Sequence, residues 1–135
     1  MKFLIDTNII SDSRKTATSP ARRWLSAQRE SDIQISVITL FELEVGVQRA
    51  ERKDPRQGFR LRTWLDQNFK PNFKDAFIPV DDQIAQVAAN LHVPNPMPHL
   101  DGLIAATALV HGLILVTRNV KDFERTEVPL LNPWA

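Results

Sequence analysis

Apolar and polar positions along this chain switch repeatedly between two periods. Lys2–Ile5 is a short apolar run that meets Asp6, the pattern of a strand buried on both faces. Ser19-Pro20 predicts a helix start, with serine as cap and proline at the first helical position; Ala21, Trp24 and Leu25 give that helix a core face. Ile33–Val37 alternates with period two and reads as a strand. From Thr39 the period becomes helical, with Leu40, Leu43, Val47 and Ala50 on one stripe. Pro55 opens another helix, whose stripe is Leu61, Trp64, Leu65 and Phe69. Ala76–Val80 predicts a short strand, and Asp81 caps a helix carrying Ile84, Val87, Ala88 and Leu91. Pro94, Pro96 and Pro98 make a stiff extended connection. The next helix runs through Leu100, Leu103, Ile104, Thr107, Ala108 and His111 and stops at Gly112. Leu113–Val116 is again wholly apolar, and a last strand falls within Val128–Leu131. Strands alternating with helices predict an α/β sandwich around a largely parallel sheet.

Length and composition narrow the function classes. A chain of 135 residues is sized for one domain, 1–135, and 43% apolar with 24% charged residues excludes disorder as the main state. No apolar run approaches the roughly 20 residues of a membrane span, and Asp6 arrives too early for a signal-peptide core, so the expected location is the cytoplasm. The absence of cysteine excludes disulfides, thiolate zinc sites and thiol nucleophiles.

Net charge is only +1, but its distribution is uneven. Arg49, Arg52, Lys53, Arg56, Arg60 and Arg62 are opposed locally only by Glu51 and Asp54, and Arg14, Lys15, Arg22 and Arg23 form a second group. A solvated helix face is the commoner meaning of such a run; contact with a phosphate backbone is the functional one. If Arg56 and Arg60 touch a phosphate backbone, replacing both weakens that binding and flattens its salt dependence.

The carboxylates carry the chemistry. In open α/β sheets ligands bind outside the carboxyl ends of the strands. Asp6 follows the first strand, Asn119 follows Leu113–Val116, and Glu42 and Asp101 fall in the first turns of two helices, so one pocket can collect all four. Each also has a plain structural meaning. Thr39-Leu40-Phe41-Glu42 fits a capping box, Asp101 complements a helix dipole, and Asp6 caps the turn through Asn8. Those meanings leave unexplained why three acids meet at one sheet edge, where ionised carboxylates repel unless a cation is present. An oxygen-only set suits Mg²⁺ or Mn²⁺. His92, His99 and His111 lack zinc spacing; His92 and His111 read as helix-end residues and His99 as a helix-start residue. The chemistry suggested is phosphodiester hydrolysis by a metal-activated water.

Four segments together resemble the PIN-domain ribonucleases. They are Asp6-Thr7-Asn8 after a hydrophobic strand, Glu42-Leu43-Glu44-Val45-Gly46, Asp101-Gly102-Leu103-Ile104-Ala105-Ala106-Thr107-Ala108, and Val116-Thr117-Arg118-Asn119-Val120-Lys121-Asp122-Phe123. The ending Asn132-Pro133-Trp134 is similar to the FitB-like branch of the VapC toxins. The resemblance implies a three-layer α/β/α PIN-like fold with a central, mainly parallel sheet. It also implies a Mg²⁺- or Mn²⁺-dependent endoribonuclease acting as the toxin of a type II toxin–antitoxin pair. Asp6, Glu42 and Asp101 match the family's acidic positions; Asp6 and Asp101 are the implied metal ligands, and Glu42 binds metal or orients the attacking water. Asn119 stands where many relatives carry a fourth acid and brings no charge, which leaves one metal or two open, with Asp122 or the RNA phosphate as the further contributors. Arg118 is read either as a phosphate contact or as half of a surface ion pair. Gly46, one helical turn beyond Glu42, leaves space beside that acid. The implied partners are a VapB-like antitoxin, a transfer or ribosomal RNA substrate, a second copy of the chain, and operator DNA reached only through the antitoxin. Trp24/Leu25, Trp64/Leu65 and Phe69/Phe73 are core residues or, alternatively, a groove or dimer face.

Two other functions compete. A catalytically weak PIN module would hold RNA or a protein partner without cutting. A phosphoacceptor switch would want an acidic pair at the first strand and a lysine after a late strand, where this chain has one acid and Arg118-Asn119.

Overall fold

The computed structural model describes residues 2–135. In chain order the elements are β1 (Phe3–Ile5), α1 (Thr7–Lys15), α2 (Pro20–Ser26), β2 (Ile33–Ser36), α3 (Val37–Lys53), α4 (Pro55–Trp64), α5 (Lys70–Asn72), β3 (Phe77–Ile78), α6 (Asp82–Leu91), α7 (His99–His111), β4 (Ile114–Val116), α8 (Val120–Phe123) and β5 (Leu130–Leu131). All strand pairs are parallel, in the order β3-β2-β1-β4-β5. The chain therefore builds outward from β1 on one side, then crosses to build the other. That reversal beside the central strand is the place where an open α/β sheet leaves a crevice at its carboxyl edge.

Alternation along the strands divides the core into two layers. Phe3, Ile5, Ile33, Ile35 and Val116 face one way, against Ile9 and Ile10 of α1, Ala21 of α2, Leu43 and Val47 of α3, and Leu65 and Phe69. Leu4 and Leu115 face the other, against Ile84 and Ala88 of α6, Ile104 to Ala106 and Ala108 of α7, Phe123 and Val128. The expected three-layer α/β/α arrangement with a parallel central sheet is what the chain adopts. Trp24, Leu25, Trp64 and Phe73 lie partly buried on the first layer and Leu65 and Phe69 are fully within it, so these three pairs serve the core.

Several boundaries differ from the sequence pattern, each for a local reason. α1 was not marked by the apolar pattern beyond a turn at Asp6. Its only buried positions, Ile9 and Ile10, are adjacent and trace no stripe. The helix expected from Thr39 starts at Val37, because Ser36 ends β2 and caps α3 by accepting a hydrogen bond from the Ile38 N–H at 3.0 Å. The helix opened by Pro55 continues past Trp64 through one π-helical turn, Leu65–Phe69, into α5. Asp81 caps α6 through the Ile84 N–H at 2.9 Å, and Gly112 ends α7 at φ 64°, as expected.

Candidate active site

The register Ile5↔Val116 brings the exits of β1 and β4 together, so the next residues, Asp6 and Thr117, meet at the carboxyl edge. The Asp6 N–H continues the ladder to the Val116 carbonyl at 2.9 Å, after which its side chain caps α1. Oδ1 accepts from the Thr7 N–H at 2.8 Å; Oδ2 accepts from Thr117 Oγ1 at 2.7 Å and from Asn8 Nδ2 at 3.0 Å. Such donors favour the ionised carboxylate, but only 6% of Asp6 is exposed, and desolvation outweighs them. Its pKa is pushed up to about 6, first by burial and further by the charges of Glu42 and Asp101.

Glu42 arrives on α3. Its Oε1 accepts from Thr7 Oγ1 at 2.7 Å, and that hydroxyl lies 3.2 Å from Oγ1 of the fully buried Thr39. The capping-box reading is therefore wrong: with Ser36 as the cap, Thr39 is inside the helix and Glu42 is turned toward α1. Asp101, half-buried in the first turn of α7, has its pKa raised by burial, then by Glu42, then by Asp122. These mutual effects make Asp6, Glu42, Asp101 and Asp122 one electrostatic neighbourhood, with Asp122 at its exposed margin.

Asn119 is exposed at the start of α8. Its N–H donates to Thr117 Oγ1 at 3.0 Å and its side chain makes no hydrogen bond among the described residues. The Arg118 N–H donates to Asn8 Oδ1 at 3.1 Å; the exposed Arg118 guanidinium lies over the Trp134 ring, 4.5 Å from the centroid, and forms no ion pair among the described residues. Three residues that the sequence reading placed in motifs but not in the site, Thr7, Asn8 and Thr117, hold it together. Thr117 directly follows β4, and Thr7 and Asn8 open α1 within three residues of the end of β1; that closeness to two strand ends is the one signal that could have singled them out.

All the converging donors are oxygens, which fits a hard divalent ion. Among the described residues no group of three or more His, Asp or Glu side chains stands placed to hold a metal ion. The observation that bears on the ion is repulsion: Asp6 and Asp101 are each destabilised in their charged forms by neighbouring acids, a condition a bound cation reverses. A few carboxylates on an open edge suit Mg²⁺, which keeps waters and shares its shell with substrate phosphate. A concavity bounded by Leu25, Ser31, Ile33, Phe73 and Ala76 lies at the start of β2 and contains none of these acids.

Residues 3–129 match the model of the PIN domain. The chain belongs to the PIN-domain family. It is 31% identical over 138 residues to the toxin FitB of Neisseria gonorrhoeae, covering 98% of both chains. It is 30% identical to the VapC ribonuclease Y4jK of Sinorhizobium fredii, covering 98% of this chain and 97% of the relative. A solved structure of FitAB bound to an IR36 DNA fragment superposes with a TM-score of 0.87 at 28% identity, covering 98% of this chain and 96% of that one. Within the PIN domains, this chain is thus a VapC/FitB-type member.

Proposed function

We propose that this PIN domain is the toxin of a type II toxin–antitoxin pair and a Mg²⁺- or Mn²⁺-dependent endoribonuclease. The observation that carries the reading is the convergence of Asp6, Glu42 and Asp101 at the β1/β4 edge, with burial and mutual repulsion raising Asp6 and Asp101. Full-length similarity to proteins named as a toxin and a ribonuclease supports it.

In this mechanism Asp6 and Asp101 would hold the divalent ion. When bound, the ion supplies Lewis-acid activation of water and offsets charge on the scissile phosphate. Thr117, Asn8 and the Thr7 N–H fix the Asp6 carboxylate, so the ligand needs little reordering on binding. Thr7 donates to one Glu42 oxygen and aims the other at the attacking water. The new P–O bond forms from that water, which gives up a proton to solvent, as the bond to the leaving ribose oxygen breaks and that oxygen takes a proton up. Asn119, uncharged and exposed, donates or accepts at the substrate or at an ordered water, and Arg118 offers a cation to a phosphate beside it. A VapB-like antitoxin covers this edge, a homodimer is the working unit, and DNA is met through the antitoxin, in keeping with a FitAB neighbour solved on DNA.

The test is cleavage of total cellular RNA by antitoxin-free protein in Mg²⁺, Mn²⁺ or EDTA, beside Asp6→Asn. Discrete cuts that need metal and vanish in the variant are expected. RNA binding with no metal-dependent cut would sink the nuclease in favour of a non-cleaving module.

A further inference from the structure

The basic residues near the end of α3 have a use that depends on where their acidic neighbours go. Positions 42, 46, 49 and 53 are spaced four, three and four, so Glu42, Gly46, Arg49 and Lys53 form one stripe of the helix. Leu43 and Val47 point instead into the core. Glu44 and Glu51 turn toward α4, where Arg62 engages both: Glu44 oxygens at 2.9 and 2.6 Å, Glu51 oxygens at 3.2 and 3.0 Å. Asp54 is occupied in capping α4, accepting from the Gln57 N–H at 3.3 Å. The acids that seemed to balance this run are thus withdrawn from it. Arg49 and Lys53 remain exposed, with no ion pair among the described residues.

Gly46 lies between the acid and the cations. It is exposed, and an added β-carbon there would meet nothing within 4 Å. A glycine within a helix costs about 1 kcal/mol relative to alanine, and no packing inside the chain requires this one. The bare patch therefore serves something that passes over it from outside.

We propose that the phosphodiester backbone of the RNA substrate runs along α3, with the scissile phosphate at Glu42, the chain crossing Gly46, and further phosphates paired with Arg49 and Lys53. At 1.5 Å per residue the two cations stand about 10 and about 16 Å along the axis from Glu42, within reach of successive phosphates of one strand. A row of unpaired cations leading away from a phosphate-cleaving centre matches a polyanion that continues beyond the cut. This inference rests on the nuclease reading and adds the direction in which the substrate leaves the site.

The experiment measures binding of a labelled single-stranded RNA in EDTA, by anisotropy, across a salt series. Wild type is compared with Arg49→Gln/Lys53→Gln and with Lys2→Gln/Lys74→Gln, an equal charge change at exposed positions that precede β1 and β3, away from the carboxyl edge of the sheet. Each phosphate contact to single-stranded RNA contributes about 0.7 to the salt slope, so loss of two lowers it by about 1.4. Between about 50 and about 200 mM salt the wild-type advantage over that variant then shrinks about sevenfold. The Lys2→Gln/Lys74→Gln variant keeps the wild-type slope. Gly46→Leu, which leaves the charges intact, weakens binding with the slope unchanged. In Mg²⁺, Arg49→Gln/Lys53→Gln raises KM for long RNA and spares kcat. An Arg49→Gln/Lys53→Gln slope equal to wild type, beside intact wild-type cleavage, overturns the track alone, including where that variant loses only affinity for an acidic protein partner. A wild type that neither binds nor cuts RNA overturns both readings.

Discussion

Asp6 gives the sharpest quantitative handle on the site. Burial raises its pKa from 3.8 to about 6, so the folded chain holds the Asp6 proton more tightly than the unfolded chain does. Below pH 3.8 both states are protonated and the residue is neutral in its effect. Between 3.8 and about 6 the unfolded chain releases the proton first, and stability falls as pH rises. Above about 6 both states are ionised and the loss is complete. A shift of about two pKa units amounts to about 3 kcal/mol. Asp6→Asn removes this titration. It also replaces Oδ2, which accepts from Thr117 and Asn8, with an amide nitrogen, a change of about 1 kcal/mol that does not vary with pH. The quantity to measure is therefore the difference in unfolding free energy between Asp6→Asn and wild type in EDTA, by denaturant titration from pH 3.5 to 7.5. It is expected to grow in favour of the variant by about 3 kcal/mol across that window, a change in melting temperature on the order of 10 °C. Millimolar Mg²⁺ at pH 7.5 should recover part of the wild-type loss and leave the variant unmoved. A difference that stays flat with pH would refute a buried, repelled carboxylate at this position. One that grows toward acid would mean that the hydrogen bonds outweigh burial.

Asp101→Asn should abolish cleavage and shrink the Mg²⁺-induced rise in melting temperature, read by calorimetry with and without metal; a full metal response in the variant removes Asp101 from the ligand set. Gly46→Ala should raise the melting temperature, by the equivalent of about 1 kcal/mol, while slowing RNA cleavage. Unchanged turnover with a lower melting temperature contradicts this. Gly102→Ala places a β-carbon 2.6 Å from Cε1 of His92 and should destabilise by about 1–3 kcal/mol. Adding His92→Ala should return part of that loss, and strictly additive effects of the two changes would show that the contact does not matter.

The sheet and most helices were legible because period and punctuation agree. Ser19-Pro20, Asp81 and Gly112 each act as their types dictate. α1 escaped because Ile9 and Ile10 are neighbours, and a helix that buries two adjacent residues leaves no periodic trace. The capping-box pattern at Thr39–Glu42 misled for a related reason. Local spacing is blind to Ser36, which starts the helix sooner, and to Thr7, 35 residues before Glu42, which takes up its carboxylate. The acids of the site could be named because their types imply chemistry. Their supports could not: Thr117 acts on Asp6 across 111 positions, and only the parallel register of β1 and β4 makes them neighbours. Likewise Arg62, one more cation of a basic run in the sequence, is the internal counter-ion of Glu44 and Glu51 in the fold.

The chain thus treats its carboxylates in two opposite ways. Glu44 on α3 meets Arg62 bidentately, and that hydrogen bonding holds its pKa below the usual value, so its charge is satisfied within the protein. At the sheet edge no arginine or lysine among the described residues shifts Asp6 or Asp101; the donors to Asp6 are neutral, and both acids have acidic neighbours. An arginine at that edge would stabilise the fold and remove the reason for a cation to bind. Keeping the edge acids unpaired costs stability in the metal-free chain and leaves the attraction available to a metal ion and the phosphate it accompanies. The same clearance by Arg62 leaves Arg49 and Lys53 without acidic partners. One ion cluster on the α4-facing side of α3 therefore leaves the Glu42–Lys53 stripe negative at Glu42 and positive at Arg49 and Lys53, the polarity on which the proposed metal site and RNA track rest.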